Sequence, residues 1–153
     1  MKDQNIWRDA EDWQYCNIEG WSPLHYFAAV GRYDLYDGYA ADILGLTEVR
    51  DHQDECGNTT MHYAAIFGKE EMVARLIKKF PEKNPKNNLG ETPLHYACRS
   101  GNVNVVKLLF EMEDDDFPRC SAGFTPLHTS AGMSEGHLHI CEYLISRQAK
   151  WHF

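Results

Sequence analysis

Four segments of this chain share one sequence pattern, and that internal repeat restricts the possible folds more than any other feature. Each segment begins at a glycine and continues with a small hydroxyl residue, usually a proline, an apolar residue and a histidine. The glycines are Gly20, Gly57, Gly90 and Gly123, so the spacings are 37, 33 and 33 residues. A fixed period of this length is typical of solenoids, in which each repeat is one supersecondary unit that packs only against its neighbours.

Each segment also contains the signals of a helix start. A hydroxyl side chain that can accept a hydrogen bond from the first backbone N–H groups is followed, in three copies, by a proline, which needs no N–H partner there. A turn glycine and a second apolar run at helical spacing come next, as in VNVVKLLF at 103–110. We therefore predict a helix, a tight turn and an antiparallel helix in each repeat. The capping residues are Ser22, Thr59, Thr92 and Thr125, and the prolines are Pro23, Pro93 and Pro126.

The period and the local motif resemble those of a known family. The 33-residue spacing and the sequence TPLHYA at 92–97 are similar to the ankyrin repeat, and the resemblance covers about residues 17–152. It implies an all-α fold, namely an ankyrin-repeat solenoid of stacked antiparallel helix pairs joined by β-hairpin-like turns. We expect an N-terminal capping helix at 1–16 and an ankyrin repeat domain at 17–153, with repeats at about 17–53, 54–86, 87–119 and 120–153.

The ends of the stack and two insertions depart from the repeat pattern. Apolar residues at helical spacing between positions 6 and 13 predict the helix that covers the N-terminal side. Repeat one has four extra residues, about one helical turn, so we expect a longer second helix that ends at Gly45. Repeat four has two extra residues at 132–136, either a small surface loop or a neutral insertion. Its second helix either caps the stack or precedes further sequence.

Charge, hydropathy and cysteine usage limit the partners. Lys and Arg total 15 against 23 for Asp and Glu, and the formal charge of −8 works against binding to nucleic acid. No apolar run approaches the roughly 20 residues of a membrane span, so we expect no membrane partner. Five cysteines without a C-x-x-C pair fit neither a disulfide framework nor a usual zinc site. We expect reduced thiols, a location inside the cell, in cytoplasm or nucleus, and a monomer in isolation.

The residues that carry reactive groups have structural interpretations. The four histidines of the repeated motif recur at one repeat position, so they are expected to stack and not to converge on one metal ion. The resemblance implies that each of them ties a hairpin to a helix by hydrogen bonds. No phosphate loop, nucleophile elbow or H-E-x-x-H motif is present. We predict no enzyme activity, no catalytic residue, no metal site and no cofactor. The histidines are His25, His62, His95 and His128.

Two charged runs and one asparagine complete the candidates. The acidic run at 111–116 lacks the alternating ligand pattern of a calcium loop, so we interpret it as a solvated loop. Basic residues between 75 and 86 lie one repeat earlier, and the two runs together would orient a charged partner. Asn84 stands at a hairpin position where proteins of the resembled family are hydroxylated, a minor regulatory alternative to a plain turn residue.

The resemblance also indicates where a partner would bind. In ankyrin proteins, partners usually contact the concave surface made by the hairpin tips and the exposed side of each first helix. Several of these positions are large and apolar here, so we expect a hydrophobic strip that also includes Leu89. The alternative is that Trp21 and Phe67 pack against neighbouring repeats. The predicted partner-binding residues are Trp21, Val30, Asn58, Ile66, Phe67, Glu91, Arg99 and Phe124.

The function predicted from the sequence is that of a protein–protein interaction module, an adaptor or scaffold that binds a protein or peptide through the concave groove. Two alternatives remain open. The chain is the targeting domain of a larger enzyme, channel or pathogen effector, or it is an IκB-like inhibitory ankyrin protein. The repeat architecture does not distinguish them, because one scaffold of this kind accommodates unrelated partners.

Overall fold

A computed structural model describes residues 21–42, 51–80, 82, 84–111, 118–132 and 137–151 of the chain. Within these residues the chain forms eight α-helices in four consecutive pairs, with one isolated backbone bridge between Gln53 and Thr59. The predicted all-α repeat fold is confirmed. The pairs are α1 (Pro23–Val30) with α2 (Tyr33–Asp42), α3 (Thr60–Ile66) with α4 (Glu70–Lys79), α5 (Pro93–Ser100) with α6 (Val103–Phe110), and α7 (Pro126–Ala131) with α8 (Leu138–Trp151).

The first helix of every pair begins where the capping pattern predicts. Each N-cap residue is in the extended region, and its backbone N–H donates to Nδ1 of the histidine three residues later, at 3.1 to 3.2 Å. The histidine thus occupies the place that glutamate takes in an ordinary capping box. Proline is the first residue of α1, α5 and α7.

Helix α3 begins with Thr60 instead of proline, and the backbone N–H that proline would lack is hydrogen-bonded. The backbone N–H and the hydroxyl of Thr60 donate to Oδ1 of Asp51, at 3.2 and 2.5 Å, while the N–H of Met61 donates to Oδ2 at 3.1 Å. One carboxylate therefore satisfies two orphan donors at the N-terminus of α3. Burial raises the pKa of Asp51 above its ordinary value. These hydrogen bonds favour the charged form and offset part of that rise.

Small residues on the first helices allow close packing between repeats. The first helices of neighbouring pairs contact one another, and each first helix also contacts its own second helix. Ala64, Ala65, Ala97 and Cys98 are fully buried at these contacts, and burial raises the pKa of the Cys98 thiol. The second helices complete the core with larger apolar side chains, among them Leu35, Tyr36, Met72, Val73, Leu76, Val105, Val106, Leu109, Ile140 and Leu144.

Several predictions concern residues outside the described ranges. These are the capping helix at 1–16, the extension of the second helix of repeat one beyond Asp42, residues 133–136 of the insertion at 132–136, and the acidic side chains within 112–117. Gly38 lies inside α2, of which the structure describes ten residues. Helix α8 has fourteen residues against eight in α6, so the last pair has a markedly longer second helix.

Candidate partner-binding surface

Three hairpin turns of one design precede α3, α5 and α7. In each, a backbone N–H donates to the carbonyl oxygen four residues later, at 2.9 to 3.0 Å, across a glycine with φ near +80°. Positive φ favours glycine because it has no Cβ. In the first two turns the opening residue, Asp54 or Asn87, also accepts two backbone N–H bonds through its side chain, at 2.9 to 3.0 Å. The turns span Asp54 to Asn58, Asn87 to Glu91 and Cys120 to Phe124.

The hairpins stack on one another through backbone hydrogen bonds. The N–H of Asn88 donates to the carbonyl of Cys56 at 2.9 Å, and the N–H of Ser121 donates to the carbonyl of Leu89 at 2.8 Å. Because both bonds join residues at equivalent repeat positions, the hairpins have the same register at each step. They form one side of a continuous surface.

Three buried histidines connect each first helix to the hairpin of the next repeat. Their Nδ1 atoms accept the N-cap N–H, so the ring proton is on Nε2 and is donated to a backbone carbonyl. The acceptors are Asn58 for His25 at 3.1 Å, Glu91 for His62 at 2.8 Å and Phe124 for His95 at 2.9 Å. We call these bonds the histidine ladder. The structural role that the resemblance implies is confirmed for these three side chains.

The ladder requires neutral imidazole rings, and burial supplies that condition. Desolvation lowers the pKa of His62 to about 4, because a charged ring is unfavourable away from water. The same effect lowers the pKa values of His25 and His95. A protonated ring would also lose the Nδ1 lone pair that accepts the N-cap N–H.

A polar network joins two hairpins to the first helices. The Asn87 amide donates to Asn58 Oδ1 at 2.9 Å and to the Tyr96 hydroxyl at 3.1 Å, and the Tyr96 hydroxyl donates to Asn58 Oδ1 at 2.9 Å. The Tyr63 hydroxyl donates to Asp54 and accepts from the Asn58 amide. Burial, with Asp54 beside it, raises the pKa of Tyr63 to about 12.

Sequence reasoning missed the tyrosines of this network, although a signal was present. Tyr26, Tyr63 and Tyr96 each follow the motif histidine, and Thr129 takes that position in the last repeat. All three tyrosines are partly exposed, so they contribute to the surface, and Tyr63 and Tyr96 also belong to the network. A comparison of this column across the repeats would have identified them.

Three of the predicted binding residues are buried by the chain itself, which corrects the expectation that they are exposed. Trp21 is 7% exposed, and its ring meets the ring of Tyr63 edge-on at 4.5 Å. For Trp21, the alternative of packing against a neighbouring repeat is therefore correct. Asn58 is held in the polar network, and the carboxylate of Glu91 accepts a hydrogen bond from Arg99. These three side chains are buried beneath the surface and pack against residues that form it.

The other predicted residues reach the surface to different extents. Val30 is 40% exposed and Phe67 is 54% exposed, and both precede the turn glycine of their repeat. Ile66 and Arg99 are partly exposed, with the Arg99 guanidinium 5.1 Å from the centre of the Tyr96 ring. We call these four residues the groove strip. Phe124 is 54% exposed and Leu89, at a hairpin tip, is 64% exposed.

Two shallow depressions adjoin the groove strip at neighbouring repeats. One is lined by Ile66 and Phe67 together with Gly68 and 100–102 of the next repeat. The other is lined by Val30, Gly31 and the turn region 68–72. An apolar side chain of a partner that enters either depression would contact an exposed apolar residue of this chain.

Two residues of the basic stretch predicted from the sequence form ion pairs within the chain. Arg75 contacts Glu71 at 2.9 Å and lies 4.8 Å from the centre of the Tyr33 ring, while Lys79 contacts Asp37 at 2.9 Å. Orientation of a partner by opposed acidic and basic runs stays a prediction. Among the described residues, no group of three or more His, Cys, Asp or Glu side chains could hold a metal ion. No helix in that part of the chain has the length and apolar character needed to cross a membrane.

A comparison with family models finds one family that matches most of the chain. The family model described as ankyrin repeats (3 copies) matches residues 37–117 and, a second time, residues 81–152. The two matches overlap and together extend from residue 37 to residue 152. A comparison with curated proteins found no match to the chain.

Proposed function

We propose, from the premise that this chain belongs to the ankyrin-repeat family, that it binds another protein through the groove strip. Ankyrin repeats are generally protein–protein interaction modules and are typically not catalytic. The observation that carries the proposal is the exposure of Val30 and Phe67 at the same position of adjacent repeats, each beside a depression. Large exposed apolar residues that line a concave surface are typical of binding sites.

The chemistry of the strip favours a partner segment with apolar anchors and a polar centre. Val30, Ile66 and Phe67 offer apolar area, whereas the next repeat has Arg99 and Ser100 at the corresponding positions. Arg99 already pairs with Glu91, so it offers its remaining donors to a partner's carbonyl or hydroxyl oxygen without introducing an uncompensated charge. Burial of the exposed part of Phe67 would contribute about 1 kcal/mol or more to binding.

We further propose that the chain acts inside the cell and that it works without a cofactor. Among the residues that the structure describes, Cys56, Cys98 and Cys120 form no disulfide. Thiols that remain unpaired are typical of the cytosol and nucleus, where reducing systems maintain them.

The test removes the apolar anchors and keeps the fold. We expect a Val30→Ser/Phe67→Ser variant to lose most of the proteins that the wild-type chain captures from a lysate, as counted by quantitative mass spectrometry. Serine is the residue that repeat three has at this position, so the fold should tolerate it. The matched control is Leu138→Ser, which removes an exposed apolar side chain at the first residue of α8, outside the groove strip. An unchanged set of captured proteins with a folded double variant would overturn the groove assignment.

A further inference from the structure

The last repeat exposes residues whose counterparts in the preceding repeats are buried. His128 is exposed, whereas His25, His62 and His95 are almost completely buried. Ala131 is exposed, whereas Ala65 and Cys98 at the same position have no exposed surface. Leu127 is partly exposed, whereas Met61 and Leu94 are buried. We call this surface the C-terminal face, defined by Phe124, Leu127, His128, Ala131 and Ile145.

Helix α8 and the hairpin turn before α7 show the same contrast with the preceding repeats. Ile145 is 54% exposed, whereas Phe110 at the same position of repeat three is buried, with its ring 5.8 Å from that of Tyr143 in repeat four. Phe124 is also 54% exposed, although Trp21, Asn58 and Glu91 at its repeat position are buried. The exposure of Phe124 therefore belongs to the C-terminal face and not to the groove strip.

The internal interfaces define the chemistry that fits this face. At each step a first-helix histidine donates through Nε2 to a carbonyl of the next hairpin, and a hairpin carbonyl accepts an N–H from the next hairpin. The ring of His128 is set in the same way, because Nδ1 accepts the N–H of Thr125 at 3.2 Å. In the part of the chain that the structure describes, Nε2 of His128 has no acceptor. Ala122 is the counterpart of Cys56 and Leu89, whose carbonyls accept the N–H.

We propose that the C-terminal face binds, end-on, an ankyrin-type repeat of a partner protein. The partner's hairpin carbonyl accepts from His128 Nε2, its hairpin N–H donates to the Ala122 carbonyl, and its apolar helices cover Leu127, Ala131 and Ile145. This interface continues the one that the chain itself forms between its own repeats. It is separate from the groove strip, so both surfaces can be occupied at once.

A second copy of this chain is a less suitable occupant. Head-to-tail stacking of identical copies does not close and would continue into filaments. A partner that presents a single open repeat edge does not have this difficulty.

The test uses a defined probe, a designed protein of consensus ankyrin repeats with a C-terminal capping repeat and an open N-terminal edge, because such repeats are readily designed. The same probe with an N-terminal capping repeat is the control. We expect titration calorimetry to detect binding of the open probe only. Ala131→Glu and Ile145→Glu should each weaken it at least about tenfold, because each places a charge in an apolar contact. Phe67→Ser, a change in the groove strip, should leave the affinity unchanged.

The possible results separate this proposal from the groove assignment. Both glutamate substitutions are on exposed positions, and circular dichroism should report an unchanged fold. Absence of binding by the open probe, equal binding by both probes, or full affinity in both variants would overturn the proposal. Self-association of the chain in sedimentation that Ile145→Glu abolishes would also overturn it, because a second copy would then be the occupant.

Discussion

At the scale of the residue, Asp51 shows how one side chain compensates for a departure from the repeat motif. Proline at the first helical position leaves no N–H to satisfy, but Thr60 has one, and Asp51 accepts it together with the Thr60 hydroxyl and the Met61 N–H. A carboxylate is also favourable at a helix N-terminus, where the helix dipole is positive. Thr60, which departs from the motif, and Asp51, which compensates for it, are nine residues apart in sequence.

We expect Asp51→Ala to lower the free energy of unfolding by about 1–3 kcal/mol, because it leaves the N-terminal donors of α3 without acceptors. In a Thr60→Pro background the same substitution should cost less by at least about 0.5 kcal/mol, because proline removes two of the three donors. Thr59 is extended, as the residue before a proline must be. A double-mutant cycle by urea unfolding measures the difference, and identical costs in both backgrounds would contradict the assigned role.

The starts of the helices were predictable from single residues, whereas the exposure of several side chains was not. Cap, proline and histidine stand at fixed separations within one repeat, so their signals are local. The burial of Trp21 depends on Tyr63, which belongs to the next repeat, and Phe124 is exposed although it occupies the same repeat position as Trp21. A repeat position predicts the backbone of the residue. Its neighbours across the repeat boundary determine whether the side chain is available to a partner.

At the scale of the element, the hairpin turns differ in what surrounds their glycines. A Cβ placed on Gly57 would lie 2.8 Å from the backbone nitrogen of Asn88 in the next hairpin, and one on Gly90 would lie 2.9 Å from that of Ser121. A Cβ on Gly123 would have no heavy atom within 4 Å. The first two glycines therefore serve both the turn and the contact between hairpins, and the third serves the turn.

We expect Gly57→Ala to destabilise the protein by at least about 1 kcal/mol more than Gly123→Ala. Both substitutions place alanine at positive φ, which costs about 1–2 kcal/mol, but only the first forces the backbone of the next hairpin to move. Thermal unfolding of the two variants side by side provides the measurement, with Gly123→Ala as the matched control. Equal destabilisation would mean that the hairpins are not held as closely as described.

At the scale of the whole molecule, the histidine ladder couples stability to pH. The folded-state pKa of His62 is about 4, against 6.5 for the free side chain, and those of His25 and His95 are also lowered. The unfolded chain therefore binds more protons than the folded chain below pH 6.5. The stability that these neutral rings contribute is complete above that pH and is lost as the pH falls from 6.5 towards 4.

We expect His62 alone to account for a loss of about 3 kcal/mol across this interval, from the shift in its pKa. The raised pKa of Asp51 acts in the opposite direction and offsets part of the loss at the acidic end. Urea unfolding between pH 7.5 and 4.5 measures the slope, which His62→Gln should reduce. His139→Gln, a change at an exposed position of α8, should leave the slope as it is. A pH-independent stability of the wild-type chain would rule out the ladder as the source.

The bonds of the ladder all run in one direction, from the histidine of a repeat to the hairpin of its successor. If a unit of 33 residues were inserted between two repeats, its hairpin carbonyl would accept the histidine bond of the preceding repeat. Its own histidine would donate to the hairpin of the following repeat. The interfaces on both sides would then be the same as those already present. A gene for such a chain can grow or shrink by duplication or loss of whole units, while the residues that make each joint stay unchanged.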